Sequence, residues 1–243
     1  MVSGAAAPDA VARARKLPDL RVGLHLVLVE GAPTLPAERL PDLVDGTGRF
    51  RTDMGTLGLD VFARPAARRQ LAAEIEAQFQ AYRATGLPLD HVNAHKHFHL
   101  HPTIARTVVA IGRRHGMRAL RVPVEPRATL RKVEPLAATA TAWAVAPWAK
   151  LLRRTARRAG LLAPDAVFGL AWTGAMGPTR LAGLLQHLPA GLSEIYLHPA
   201  TGDGFAGHAP GYRYADELAA LTSQAAIAAA RRPDVALGGY ADF

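Results

Sequence analysis

The sequence of 243 residues contains no cysteine. Disulfide bonds and thiolate metal sites are therefore excluded, and a bound metal would need histidine, aspartate, glutamate or water as ligands. No apolar run reaches the roughly 18 residues of a membrane span. The first residues, Met-Val-Ser-Gly, lack the charged start and apolar core of a signal peptide. These absences predict a soluble protein of the cytoplasm.

Aromatic residues are also scarce, at 6% of the chain, whereas the formal net charge is +9. A basic protein of this kind would suit a nucleic-acid or anionic-membrane partner. Arginine provides much of the charge, and the basic residues are not interleaved with aromatic side chains as they are in single-strand binders. We therefore expect a solvated basic surface and no nucleic-acid partner.

Helical and strand patterns alternate along the chain. The runs 20–29, 87–95, 119–124, 165–170, 192–199 and 235–240 are typical of strands, and the segments 2–16, 65–85, 102–115, 179–188 and 214–230 have helical patterns. This alternation predicts a parallel sheet with helices outside it. The length suits a single α/β domain over 1–243. A basic helical insertion at about 127–163 interrupts the alternation.

The insertion combines tryptophan with basic residues. Trp143 and Trp148 share a stretch with Lys150 and four arginines, and Pro147 interrupts it. One interpretation is an ordinary helix with a solvated basic face. The other is peripheral contact of the Trp143 to Arg158 segment with an anionic membrane or an amphiphilic substrate, since this composition is typical of interfacial helices.

Five of the ten histidines lie between Asp90 and Pro102. They are His91, His95, His97, His99 and His101, and Asn93 completes a polar residue at every second place. If the segment is extended, His91, Asn93 and His95 at least share one face. An adventitious metal-binding tract is the alternative. The run is internal, is interleaved with apolar residues and ends at a helix start, so we expect a metal or catalytic site.

Two further histidines belong to other predicted strands. His25 lies in the middle of an apolar run, where it needs a hydrogen bond or a metal because burying imidazole without a partner is costly. His198 ends a strand and precedes a glycine-rich loop, the position where α/β enzymes place catalytic groups. Two imidazoles and a carboxylate would hold a divalent ion, which polarises a carbonyl and lowers the pKa of bound water. The pattern therefore predicts a hydrolase.

Four segments carry a more specific signal: Gly23 to Leu26, His91 to His99, Leu120 to Pro123, and Glu194 to Pro199. Together they resemble the YdjC-like carbohydrate deacetylases, a family that includes chitooligosaccharide deacetylases. The stretch from His91 is most similar to the hopanoid-biosynthesis-associated branch. The resemblance implies a distorted (β/α) barrel, similar to a TIM barrel. It also implies removal of the acetyl group from an N-acetylated sugar or glycolipid, with N-acetylglucosaminyl hopanoid as the expected substrate.

The resemblance also implies roles for individual residues. His25 and His95 would be the ligands of a divalent metal ion, Mg²⁺ or Zn²⁺, and His198 would be the general acid or an oxyanion stabiliser. Asn93 stands where many relatives have aspartate, so it would orient a ligand or substrate rather than act as a base. The remaining residues expected to contact substrate or support the ligands are His91, His97, His99 and Arg121.

The chain departs from these relatives at two further places. Lys96 stands where many have histidine. Relatives begin with a strand ending in Ala-Asp-Asp-Phe-Gly, which supplies the third ligand and the base, and nothing before His25 matches it. The resemblance therefore predicts that the first βα unit is missing. Either the start lies at an internal methionine of an active enzyme, or the chain is an inactive glycan- or lipid-binding homologue. A homodimer and a position at the inner membrane surface are open alternatives.

Overall fold

The computed structural model describes residues 1–136 and 140–243, and the side chains of 140–145 lie outside the description. The chain divides into two compact units. The first comprises Met1–Val122, Pro147–Ala163 and Gly238–Phe243, and the second comprises Pro123–Ala146 and Pro164–Leu237. The arrangement of one domain with an insertion stays a prediction.

Short strands and longer helices make up the described residues. The strands are β1 (Leu24–Leu26), β2 (Val92–Ala94), β3 (Ala166–Phe168) and β4 (Ser193–Ile195). The helices are α1 (Ala7–Ala14), α2 (Met54–Ala63), α3 (Pro65–Ala84), α4 (Pro102–Arg114), α5 (Arg127–Val133), α6 (Ala140–Arg158), α7 (Pro178–Gln186), α8 (Tyr214–Thr222) and α9 (Gln224–Ala230). Short 3₁₀ turns cover Ala37–Arg39, His95–Leu100 and Tyr240–Asp242.

The sheet of the first unit is parallel. β1 pairs with β2 in a register that sets His25 opposite Asn93. Isolated parallel bridges continue the sheet from Val92 to Leu120 and from Ala119 to Leu162. Four extended segments therefore lie side by side in parallel, which confirms the mixed α/β class, whereas closure into a barrel stays a prediction.

Helix α3 covers β1 with the face that its sequence predicts. Pro65 at its first position suits a helix start, because the missing N–H of proline would have no intrahelical partner there. Every member of the predicted apolar face is buried, namely Leu71, Ile75, Gln78, Phe79 and Tyr82. Burial of this stripe against the sheet is the main source of the helix's stability, since helices in proteins are stabilised mostly by the packing of an apolar face.

The same helix buries two polar side chains that hold the loop after β1. Gln78 accepts a hydrogen bond from the Val27 N–H at 3.0 Å and donates one to the Val27 carbonyl at 2.7 Å, as a neighbouring strand would. The fully buried Glu74 accepts the N–H groups of Thr34 and Leu35 at 2.8 and 2.9 Å. Helix α3 therefore determines the path of this loop through Glu74 and Gln78.

The second unit repeats the arrangement on a smaller scale. β3 and β4 pair in parallel with Val167 opposite Glu194. Helix α7 packs on α8, α9 and α5. The core between these elements is apolar and includes Leu130, Phe168, Trp172, Met176 and Leu184.

Several predicted boundaries are wrong, and local backbone geometry explains them. β2 ends at Ala94 instead of His95, because the chain turns into a 3₁₀ segment with positive φ at Lys96 and His97. The predicted helix 214–230 is two helices, since Ser223 caps α9 with its side chain. The predicted strand 235–240 has no strand pairing among the described residues, and residues 240–242 form a 3₁₀ turn.

None of the helices described here combines the length and the apolar character needed to cross a lipid bilayer.

The buried Glu74 gives a test of how the loop after β1 is held. Replacing it in a Glu74→Ala variant leaves the N–H groups of Thr34 and Leu35 without their acceptor. We expect the free energy of unfolding to fall by about 1–3 kcal/mol in urea denaturation, because half-buried donors that lose their acceptor keep part of their desolvation cost. The exposed Glu38→Ala variant is the control and should change it by less than about 0.5 kcal/mol. Equal, small effects in both variants would contradict this role.

Candidate functional site

A chain of hydrogen bonds joins β2 to β1. Asn93 Oδ1 lies 2.5 Å from His25 Nδ1, and Asn93 Nδ2 lies 3.2 Å from His91 Nε2. His91 Nδ1 in turn lies 2.8 Å from Asp90 Oδ2. The parallel register makes this arrangement available, because it sets His25 and Asn93 side by side. We call Asp90, His91, Asn93 and His25 the polar relay.

The direction of each hydrogen bond in the relay follows from Asp90, the carboxylate at one end. The carboxylate of Asp90 only accepts, so His91 Nδ1–H donates and His91 Nε2 is left to accept from the Asn93 amide. The Asn93 carbonyl oxygen then accepts from His25 Nδ1–H. The lone pair of His25 is therefore on Nε2, the atom that the relay leaves to bind a ligand.

His25 stays neutral in this setting. Desolvation by burial lowers the pKa of His25 to about 3, against the smaller raising effect of the Asn93 hydrogen bond. A neutral imidazole with a fixed tautomer is the form that binds metals, and an outer hydrogen bond of this kind orients the ring. The arrangement thus supplies one preoriented nitrogen donor.

The far end of the relay is held by the last residues of the chain. Asp90 accepts the N–H groups of Tyr240 and Ala241 at 3.1 and 2.9 Å. The Tyr240 ring stacks on His91 with centroids 4.7 Å apart. On the other side, a Cβ at Gly23 would come within 2.6 Å of the His91 ring, so only glycine fits there. His91 is therefore clamped between a tyrosine and a glycine.

His95 lies beside His25 on the turn that follows β2. The two rings meet edge to face with centroids 5.8 Å apart. Glu30 Oε2 lies 3.8 Å from His95 Nε2, and the Glu30 carboxylate pairs with Lys96. Glu30, Lys96 and His97 all have positive φ, a conformation that is strained for non-glycine residues and clusters at functional sites. The backbone that follows His95 and the backbone of its neighbour Glu30 thus have an unusual shape.

The remaining members of the histidine run differ in their surroundings. His99 is fully buried, and its Nε2–H donates to the Arg121 carbonyl at 2.8 Å, so it ties the turn to the next extended segment. The His97 and His99 rings lie 6.2 Å apart. Burial lowers the pKa of His101, whose ring packs near Phe98. His99 and His101 therefore have packing roles in addition to any contact with a ligand.

The donor set near His25 fits a metal in part. His25 and His95 present two imidazoles close together, as a divalent ion requires. Among the residues that the structure describes, however, no three His, Asp or Glu side chains gather into a metal-binding group. Two nitrogen ligands fit, and within the described residues they are not completed to a set of three.

In the second unit, His198 follows β4 and is supported by a buried carboxylate. Glu217 on α8 is 1% exposed, accepts the backbone N–H of His198 and has Oε2 3.8 Å from His198 Nδ1. Its other oxygen accepts the Met176 N–H at 3.1 Å. The rings of Tyr196 and Tyr212 lie edge-on to His198 at 5.7 and 5.2 Å. The imidazole is thus placed by a carboxylate and two aromatic neighbours.

Three functional candidates are not apparent from sequence reasoning alone. Asp90 could have been found from its position directly before His91. Glu30 occurs in a loop rich in proline and glycine, and Glu217 occurs in an alanine-rich helix, so neither has a distinguishing pattern. Their burial and partners become visible only when the chain is folded.

Comparison with known proteins identifies relatives of this chain. A family model described as YdjC-like protein matches residues 1–232. A carbohydrate deacetylase of Brevibacillus brevis is 37% identical over 115 residues, covering 47% of this chain and 41% of the relative. A chitooligosaccharide deacetylase of Serratia marcescens is 32% identical over 124 residues, covering 48% of this chain and 44% of the relative. In both cases the match spans less than half of the relative's length.

The fold is also shared with a solved structure. The crystal structure of an Enterococcus faecalis V583 protein named for cellobiose-phosphate cleavage has a TM-score of 0.70, covering 96% of this chain and 82% of that chain. Sequence identity is 23%. The likeness concerns the mixed α/β fold.

The relay predicts how His25 responds to pH. In the native protein its ring proton resonances should not shift between pH about 8 and about 5 in an NMR titration, because burial holds the pKa at about 3. An Asn93→Asp variant places a carboxylate beside the ring, and the pKa should rise because a nearby negative charge favours the imidazolium. The exposed Gln80→Glu variant adds the same charge elsewhere and should leave His25 unchanged. Native titration with an ordinary histidine pKa would contradict the neutral state assigned to His25.

Glu217 is expected to hold the backbone that carries His198. In the native protein the two oxygens of Glu217 accept from the N–H groups of Met176 and His198. A Glu217→Gln variant replaces one of these oxygens by an NH₂ group, which cannot accept, so one buried hydrogen bond is lost. We expect the free energy of unfolding to fall by about 1–3 kcal/mol. The neighbouring Asp216→Asn variant changes charge at an exposed position and serves as the control. Indistinguishable unfolding curves for the two variants would show that Glu217 does not support this loop.

Proposed function

Because this chain belongs to the YdjC-like protein family, we propose that it is a hydrolase that removes the acetyl group from N-acetylated sugars. The relatives named carbohydrate deacetylase and chitooligosaccharide deacetylase support this class of reaction and substrate. The observation that carries the proposal is the polar relay, which leaves the Nε2 lone pair of a neutral His25 beside His95.

In this proposal His25 and His95 hold a divalent metal ion. When bound, such an ion would polarise the acetamide carbonyl and lower the pKa of water. Mg²⁺ and Zn²⁺ are both candidates, and two imidazoles favour the second, since Mg²⁺ prefers oxygen ligands. Asn93 fixes the tautomer of His25, and His91 and Asp90 in turn fix Asn93.

His198 is proposed to protonate the leaving amine, or to stabilise the oxyanion that forms before it. Imidazole suits proton transfer near neutral pH. Glu217 holds the backbone N–H of His198, and the edges of Tyr196 and Tyr212 restrict the ring. These three residues act by placing His198 rather than by touching the substrate.

The substrate is proposed to be the N-acetylated sugar of a glycolipid, N-acetylglucosaminyl hopanoid. The support for this finer assignment is the resemblance of the run from His91 to the hopanoid-biosynthesis-associated branch. The proposed contacts for the substrate's polar groups are His97 and Arg121. The backbone carbonyl of Arg121 accepts a hydrogen bond from His99.

A second candidate is a protein that binds the glycan or lipid without hydrolysing it. The observation that favours it is the ligand set, since no three His, Asp or Glu side chains of the described residues form a group that could hold a metal ion. The two candidates share a substrate class and differ in whether acetate is released.

Acetate release separates the candidates. We expect this chain, supplied with Zn²⁺ or Mg²⁺, to release acetate from N-acetylated chitooligosaccharides. His25→Ala and His95→Ala should each lower both metal affinity and acetate release by more than about 100-fold. Losing a metal ligand should cost more than losing a residue that only orients a ligand. The measurements are metal binding by calorimetry and acetate by a coupled assay.

Two variants serve as controls for this experiment. His198→Ala should reduce turnover by about 10²–10⁴-fold and leave metal affinity unchanged. His187→Gln, at the end of α7, should change neither quantity. Binding of the sugar without acetate release from the metal-loaded protein would contradict the hydrolase and favour the binding protein. Full activity in His25→Ala would contradict the assigned ligands.

A further inference from the structure

The part of α6 in the first unit, Pro147 to Arg158, has one buried side and one exposed side. Ala149, Leu152 and Ala156 are at most 1% exposed and attach the helix to its unit. The exposed side carries two large apolar residues, Trp148 and Leu151, which are 48% and 45% exposed. They are three residues apart and therefore neighbours on the helix surface. We call them the apolar pair.

Next to the apolar pair lies a row of positive charge. Lys150, Arg154 and Arg158 are exposed and spaced four residues apart, so each faces the next along the helix. We call them the basic row. Like charges at this spacing destabilise a helix, and no aspartate or glutamate occurs between Glu134 and Asp165 to offset them. The repulsion would be relieved by an anionic surface outside the protein.

From this juxtaposition we propose that the exposed side of α6 binds the surface of an anionic lipid bilayer. The basic row would meet the charged headgroups, and the apolar pair would enter the boundary between headgroups and acyl chains, where tryptophan is favoured. The inference goes beyond the hydrolytic reaction and does not depend on it. The side chain of Trp143, which the sequence also places in this segment, lies outside the described residues.

Lipid fits these residues better than nucleic acid does. Nucleic-acid surfaces bind cations along the backbone and aromatic rings on the bases, so they would use Trp148 and the basic row. They offer nothing to Leu151. A bilayer interface uses all three features, because it combines a negative surface with an apolar layer directly beneath it.

Cosedimentation with vesicles tests the proposal with the full chain. Vesicles of phosphatidylcholine with added phosphatidylglycerol should bind the protein, and vesicles of phosphatidylcholine alone should not. Changing the basic row in a Lys150→Gln, Arg154→Gln, Arg158→Gln variant should weaken binding on the order of 100-fold, from about fivefold for each cation. The Trp148→Ser, Leu151→Ser variant should also release the protein. All five side chains are exposed, so both variants should fold, which circular dichroism checks.

Matched variants of the first unit test whether vesicle binding is specific to α6 or follows from net charge or from any exposed apolar residues. Leu59 and Phe62 on α2 are 63% and 60% exposed and are also three residues apart, so their change to serine removes a similar apolar pair. Changing Arg69, Arg83 and Arg113 to glutamine removes the same charge from exposed positions on α3 and α4. Both controls should bind vesicles as the native chain does.

Three results would overturn the proposal. The first is an equal loss of binding in the arginine control, which would mean that net charge alone attracts the protein. The second is equal binding to neutral vesicles. The third is absence of vesicle binding together with salt-dependent binding of duplex DNA that requires the basic row. Because none of these measurements uses acetate release, they remain separate from any failure of the proposed hydrolase.

Discussion

The hydrogen bond between His25 Nδ1 and Asn93 Oδ1 is the contact on which the candidate site depends. It exists because β1 and β2 are parallel and in a register that sets the two residues opposite each other. It also determines the chemistry, since an acceptor on Nδ1 leaves the lone pair on Nε2. Asp90 and His91 extend the constraint to the chain's last turn. A shift of one residue in the register would turn these side chains to the other face of the sheet.

Buried or half-buried carboxylates recur as anchors for the loops that follow strands. Glu74 holds the loop after β1 through two N–H groups, and Glu217 holds His198 after β4. Glu125 accepts the N–H groups of residues 169–171 after β3, each at 2.9 Å. A carboxylate can satisfy several donors at once, so one side chain fixes a stretch of irregular backbone. In each unit carboxylates therefore hold loops that follow strands, which is where ligands usually bind.

The sequence predicted part of the site, and the limits have physical causes. The alternation of apolar and polar residues placed His91 and Asn93 together on one face of β2, as period-two geometry requires. It failed at His95, because Lys96 and His97 adopt positive φ and end the strand, a conformation that neither residue type favours. Helical periodicity located the buried face of α3 but not the partners of Glu74. Glu217 was missed since a polar residue in an amphipathic helix usually faces solvent.

The tautomer of His25 tests the account most directly. Long-range ¹H–¹⁵N NMR correlation at neutral pH reports which ring nitrogen carries the proton. The account predicts a neutral ring with hydrogen on Nδ1 and a bare Nε2, because Asn93 Oδ1 accepts from Nδ1. A proton on Nε2, or on both nitrogens, would contradict it, since Nε2 of His25 would then have no lone pair with which to bind a metal ion.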